Sequence, residues 1–195
     1  MPTWNLKWYL SELQGAGYQV DVLLNENVSI SFLMTGLANY DIIILRTDSF
    51  DLEGYSYFCS GEPVTSKTRT IFAGQISSNE LQVAACLGFS ALFLQHNYPA
   101  NSFKAGLVYA LGSGTADLSS AFLAAGAAVF VGYDNANTLQ WGRLDALSIK
   151  LFGYLSKGYS VKESIISLWN YLHTGHAQTA NWPSLYWTGN GDFKI

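Results

Sequence analysis

The chain has 195 residues, 49% apolar and 15% aromatic, a composition that excludes intrinsic disorder and predicts one layered core. Charged residues supply only 12%, and ten Lys+Arg against fourteen Asp+Glu leave a net charge of −4 with no basic run, so a nucleic-acid backbone is excluded as a partner. The longest apolar stretches, such as Ala121 to Val131, fall short of the roughly 18 to 20 residues that cross a bilayer, and no membrane span is expected.

Trp4, Leu6, Trp8, Leu10 and Leu13 predict an opening helix, which Gly15 and Gly17 stop. Tyr18 to Leu24 alternates as a strand does, and Ser29 to Leu37 reads as a short helix. Asp41-Ile42-Ile43-Ile44-Leu45 is a continuous β-branched run of the kind buried on both faces of a parallel sheet. From Thr47 to Lys104 the glycines and prolines cut the chain into loops, short strands such as Thr70 to Ala73 and Ala91 to Leu94, and a hairpin.

Gly106 to Leu111, the turn Gly112-Ser113-Gly114-Thr115, the helical pattern Asp117 to Ala125 and the run Ala127 to Gly132 predict a βαβ unit with parallel strands. Leu144, Leu147, Leu151 and Leu155 stripe a long helix closed by Gly158. Ser160-Val161-Lys162-Glu163 is a capping box opening another, striped by Val161, Ile165, Leu168 and Leu172. The tail, Trp182 to Ile195, carries the turn Gly189-Asn190-Gly191-Asp192 and a last short β-like segment. With no internal repeat or linker, residues 1–195 read as a single α/β domain.

Cys59 and Cys86 cannot hold a metal alone; their apolar context reads as buried free thiols, with a disulfide as the alternative. His96 sits in a loop context, and His173 and His176 flank a glycine at a helix end without a third ligand-like neighbour, so no metal is expected. Gly112-Ser113-Gly114 lacks the glycine spacing of a nucleotide fingerprint, and no cofactor is expected. Ser113-Gly114-Thr115 reads mainly as a turn and secondarily as an anion cradle. Asn27-Val28-Ser29 fits a glycosylation acceptor. Met1-Pro2-Thr3-Trp4 has no signal-peptide character; the low charge and aromatic load lean towards an extracellular or surface setting, with the compartment left open.

Tyr40 to Thr47, Leu107 to Ser113, Asp117 to Ala127 and Val129 to Tyr133, with Ser60-Gly61-Glu62 and the closing Gly189 to Ile195, together resemble the caspase-like fold of clan CD cysteine peptidases, in its gingipain, clostripain and CHAT branches. The resemblance implies a three-layer, Rossmann-like α/β domain with a mostly parallel sheet. It also implies a first strand, lying between those at Tyr18 to Leu24 and Asp41 to Leu45, which this chain lacks. The vacant position closes up or is filled by another segment or chain through strand addition. Where the family has a catalytic histidine after the strand ending in Arg46-Thr47, this chain has Asp48. Where it has the nucleophilic cysteine, this chain has Ser113.

A serine hydroxyl needs a base, and a carboxylate is a weak one at neutral pH without the donor and acceptor role of imidazole. The expected function is therefore that of a catalytically inactive caspase-fold protein acting in binding or self-assembly, as a homo-oligomer or polymer. Trp4, Trp8, Tyr55, Tyr57, Trp141, Trp169, Trp182 and Trp187 supply more aromatic surface than one small core hides. The alternatives are a serine-variant peptidase, with Ser113 as nucleophile and the helix at 117–125 stabilising the oxyanion, and a peptide-binding module that retains the cleft beside Asp48 and Ser113.

Overall fold

A computed structural model describes residues 6–134, 141–174 and 184–195. Helices α1 (Leu6–Gly15) and α2 (Ile30–Thr35) precede strand β1 (Ile42–Arg46). The hairpin of β2 (Ser49–Leu52) and β3 (Tyr55–Cys59) follows, then α3 (Ser66–Ile71), α4 (Ala73–Ser77), β4 (Leu81–Val83), β5 (Leu87–Phe89) and α5 (Ala91–Asn97). The second half runs β6 (Leu107–Leu111), α6 (Ser119–Ala124), β7 (Val129–Tyr133), α7 (Trp141–Leu155), α8 (Val161–Thr174) and β8 (Leu185–Gly189).

The main sheet has the order β1-β6-β7-β8, parallel through β7, with β8 antiparallel at one edge. Every residue of β6 and β7 is buried, because successive side chains of a strand enter opposite layers. Leu107, Tyr109, Leu111, Val129, Val131 and Tyr133 pack with the buried stripes of α7 and α8 and with Leu13 of α1. Val108, Ala110 and Phe130 pack on the other side with residues of α2, α5 and α6. This is a three-layer α/β arrangement with a mostly parallel sheet, as expected.

The βαβ unit, the α7 stripe and the capping box match the sequence reading. The Ser160 amide donates to Glu163 Oε2 at 2.8 Å, and the Glu163 amide donates to Ser160 Oγ at 3.2 Å. All four residues of the α8 stripe are buried. Gly158, at φ +83°, takes the left-handed conformation that ends α7 and that other residues adopt only under strain. Tyr109 and Tyr133, both fully buried, join hydroxyls at 2.7 Å, and Tyr109 also meets Ser148 Oγ at 2.8 Å. That satisfies polar atoms otherwise costly to bury.

Several expectations are corrected. Tyr18 to Leu24 forms no ladder with any strand among the described residues, and Val22, Leu23 and Leu24 are exposed. β1 holds its place in the sheet but at an edge, with Ile43 buried and its other residues partly exposed rather than covered on both faces. Thr70 to Ala73 and Ala91 to Leu94 are helical, the first spanning the α3–α4 junction and the second opening α5. His96 consequently lies in the last turn of α5, beside Glu80 at 3.5 Å, not in a loop. The last strand, β8, precedes the Gly189 to Asp192 turn, while Phe193 to Ile195 form no strand. Trp4, His176 and Trp182, and the side chains of Trp8 and His173, lie outside the described residues.

A second sheet, order β2-β3-β5-β4 and wholly antiparallel, lies in the stretch that reads as loops, short strands and a hairpin. Its Phe58, Leu81, Leu87 and Phe89 share a core with Ile43 and Val108, so both sheets pack as one body there. Ser60-Gly61-Glu62 has a structural role: the Gly61 amide donates to the Val28 carbonyl at 2.8 Å, and Glu62 Oε2 accepts from the Ile30 amide opening α2. Ser29, the third residue of the glycosylation triplet, caps the same helix through the Phe32 amide. Cys59 and Cys86 are joined in a disulfide and are not free thiols, because β3 and the approach to β5 bring their Cα atoms to 5.6 Å.

Two predictions follow from these contacts. Closing a 27-residue separation removes chain entropy worth about 3 to 4 kcal/mol. Reduction with dithiothreitol is expected to lower Tm by roughly 6 to 15 °C, while an unchanged melting curve would deny the bond a stabilising role. Hydrogen bonds from the Ser160 backbone and side chain lower the Glu163 pKa from its ordinary value of 4.5. Its stabilisation is complete above 4.5 and is lost as pH falls through the lower folded value. The stability gap between wild type and Glu163→Gln should therefore hold at neutral pH and close only below about 4.5, as read by urea melts across pH.

Candidate functional site

The carboxyl ends of β1, β6 and β7 form the mouth where an open parallel sheet places ligands. Asp48 and Ser113 both reach it, Asp48 in the two-residue link from β1 to β2 and Ser113 in the turn after β6. Hydrogen bonds tie the two segments together. The Thr47 amide donates to the Leu111 carbonyl at 3.1 Å, and Ser49 Oγ donates to the Ser113 carbonyl at 2.7 Å. Thr47 Oγ1 donates to the Cys59 carbonyl at 2.6 Å, fixing the link against β3. The two positions that sequence reasoning paired are thus brought to one place, Asp48 exposed and Ser113 partly buried.

Close approach sets the composition of the turn. A Cβ on Gly112, at φ +155°, would lie 2.5 Å from the Thr47 carbonyl oxygen, so only glycine lets the ends of β1 and β6 meet this way. Thr115, fully buried, does the stapling. Its hydroxyl donates to the Ala110 carbonyl at 2.9 Å and accepts from the Tyr133 amide at 3.0 Å, joining the ends of β6 and β7. The helix expected at 117–125 is present as α6 at its core, entered through a 3-10 turn, Thr115–Leu118. Thr115 serving the strand ends and Ser49 occupying the Ser113 carbonyl give the turn Ser113-Gly114-Thr115 a structural role.

Residues that sequence reasoning missed give the mouth its charge. The Ser56 hydroxyl lies between the carboxylates of Asp51, at 2.9 Å, and Asp117. Tyr186 of β8 donates to the Ala116 carbonyl at 2.9 Å. Burial pushes its phenol up, Ser119 opposes that shift by hydrogen bonding, and the carboxylates of Asp134 and Asp117 add to it. Asp48, Asp51, Asp117 and Asp134 are exposed. Beyond Asp48, the only sequence signal is a scatter of aspartates at strand and turn ends, which acquires meaning once the strands are ordered.

The neighbouring cation is already engaged. Arg46 closes β1 with a two-pronged contact to Asp145 of α7, both nitrogen–oxygen distances 3.3 Å, and its guanidinium lies 4.2 Å from the centre of the Trp141 ring. This geometry anchors β1 to α7. Among the described residues no group of three or more His, Cys, Asp or Glu side chains could hold a metal ion, and no helix is long and apolar enough to cross a membrane.

No protein-family model matches the chain, and a comparison with curated proteins finds no match.

Thr115→Val keeps the shape but leaves the buried Tyr133 amide unpaired. A loss of about 1 to 3 kcal/mol is expected, measured by chemical denaturation, and a stability equal to wild type would show that the staple contributes nothing.

Proposed function

We propose that this chain is a catalytically inactive protein of the caspase-like fold that works by binding and self-assembly. The observation that carries the reading is the fate of its thiols. Both cysteines in the sequence are joined to each other, with Cys59 in β3 of the small antiparallel sheet, so neither supplies a thiolate nucleophile at the mouth. The positions that the resemblance assigns to histidine and cysteine carry Asp48 and Ser113, and the groups gathered around them are hydroxyls and carboxylates.

Exposed aromatic surface supports the assembly half of the reading. On the outer side of α8, Trp169 is 58% exposed beside Ile166, while Tyr171 holds Lys150 Nζ at 3.7 Å from its ring centre. Tyr55 is exposed on the small sheet, whereas Tyr57 is core, so the aromatic excess divides between interior and surface. Tryptophan and tyrosine surfaces of this kind favour association, and a low charge density leaves little repulsion to oppose it. The disulfide fits an oxidising setting outside the cytosol.

A second reading, capture of a basic peptide at the mouth, is favoured by the exposed carboxylates of Asp48, Asp51, Asp117 and Asp134. Binding weakened by Asp48→Ala would mark it.

The test pairs two measurements on the whole chain. Incubation with a broad peptide library should give no turnover, while sedimentation velocity across a wide concentration range should show a rising sedimentation coefficient. Turnover abolished by Ser113→Ala would replace the reading with a serine peptidase. A monomer at every concentration would remove the assembly half.

A further inference from the structure

We infer that the free edge of β1 is a docking site for an extended strand donated by a partner protein, apolar along its length and basic at the end that meets Asp21 and Asp41. The inference rests on the binding reading above and gives it a surface away from the mouth.

The hydrogen-bonding parity of β1 identifies the vacant groups. The Asp41 carbonyl accepts from the Gly106 amide at 2.8 Å, and the Thr47 amide donates to the Leu111 carbonyl at 3.1 Å, so both odd-numbered ends address β6. Within a strand the N–H and C=O of one residue point to the same side, and the sides alternate. Ile42 and Ile44 therefore direct their backbone donors and acceptors away from β6, where the sheet has no further strand among the described residues.

The composition of β1 suits an inner strand. Ile42-Ile43-Ile44-Leu45 carries no proline, lysine or bulge, the devices by which edges are made unattractive to added strands. The segment bordering this edge is apolar as well. Tyr18 and Val20 pack into the same layer as Ile42 and Ile44, and Val22 to Leu24 continue from them with their side chains exposed.

Charge selects the occupant. Asp21 lies close enough to the Tyr40 hydroxyl, two residues before β1, to raise its pKa, and Asp41 is exposed immediately before the strand. Two carboxylates there complement a lysine or arginine on the incoming strand. The occupant is thus recognised by its main chain along Ile42 and Ile44, by apolar side chains over the layer beneath, and by a cation at one end.

The probe is a blocked, fluorescently labelled peptide, Lys-Val-Thr-Val-Thr-Ile-Lys, titrated with the full chain and followed by anisotropy. Saturable binding is expected, weakened about tenfold or more when alternate backbone nitrogens of the probe are methylated, and equally weakened by Ile44→Pro, which deletes one edge donor. The absence of saturation, or equal affinity for the methylated probe, would overturn the inference. Should Ile44→Pro fail to fold, the Asp21→Asn, Asp41→Asn pair takes its place, and an unchanged affinity in that variant overturns the charged end of the site. If sedimentation shows wild type self-associating through this edge and Ile44→Pro monomeric, a second copy is the occupant and the partner-strand assignment fails. Peptide-library turnover lost on Ser113→Ala would defeat the non-catalytic reading while leaving the titration result standing.

Discussion

Parallel pairing of two strands buried on both faces is the constraint from which the rest of this structure follows. Leu107–Leu111 and Val129–Tyr133 expose nothing, so each needs a helical layer above and another below. The crossover through α6 supplies part of one layer, and α7 with α8 supplies most of the other. Because the two strands run the same way, their carboxyl ends meet at one mouth, and turns that leave the sheet there must share a narrow space. Gly112 and Thr115 satisfy that requirement, one by having no side chain and the other by a hydroxyl that serves both strand ends.

The same requirement limits the chemistry of the mouth. A turn whose buried hydroxyl closes the strand ends, and whose Ser113 carbonyl is taken by Ser49, is committed to holding the fold together. What remains facing solvent is carboxylate, from Asp48, Asp51, Asp117 and Asp134. Such a rim attracts cations and does not by itself generate a nucleophile. The small antiparallel sheet closes one side of this region, and the disulfide ties β3 to the approach of β5. The two sulfur atoms consequently serve stability.

Periodicity made the helical half of the protein legible. The leucines of α7 and the stripe of α8 recur at helical spacing over many residues, and the capping box announces its own hydrogen bonds. The buried strands were equally plain, since only a sheet covered on both faces tolerates Val129-Phe130-Val131 beside Leu107-Val108-Tyr109. The second sheet was not legible as a sheet because its strands are three to five residues long and β3 pairs with β5 across three intervening elements. Short apolar runs do not distinguish strand from helix, which is why Thr70 to Ala73 and Ala91 to Leu94 read as strands and fold as helix. The disulfide depended on a distance created by that same pairing. Asp48 and Ser113 could be brought together on resemblance alone, but the aspartates around them, Asp51, Asp117 and Asp134, belong to three different segments and have no shared sequence signal.

β1 is where local sequence and global position disagree. Its isoleucines are those of an inner strand, yet it stands at an edge with only Ile43 buried. Such conflicts mark places where function or a missing contact overrides packing. Arg46 could have guarded this edge as a charged residue, but its guanidinium is turned onto Asp145 and Trp141, which fixes the strand to α7 instead of advertising charge along the ladder. Asp41 lies beyond the ladder's other end. The result is a strand clamped firmly on one side and at its carboxyl end, with its backbone presented on the other side in a fixed conformation. A rigid, prepaired template loses little entropy when a strand is added, so the ordering cost falls on the incoming segment.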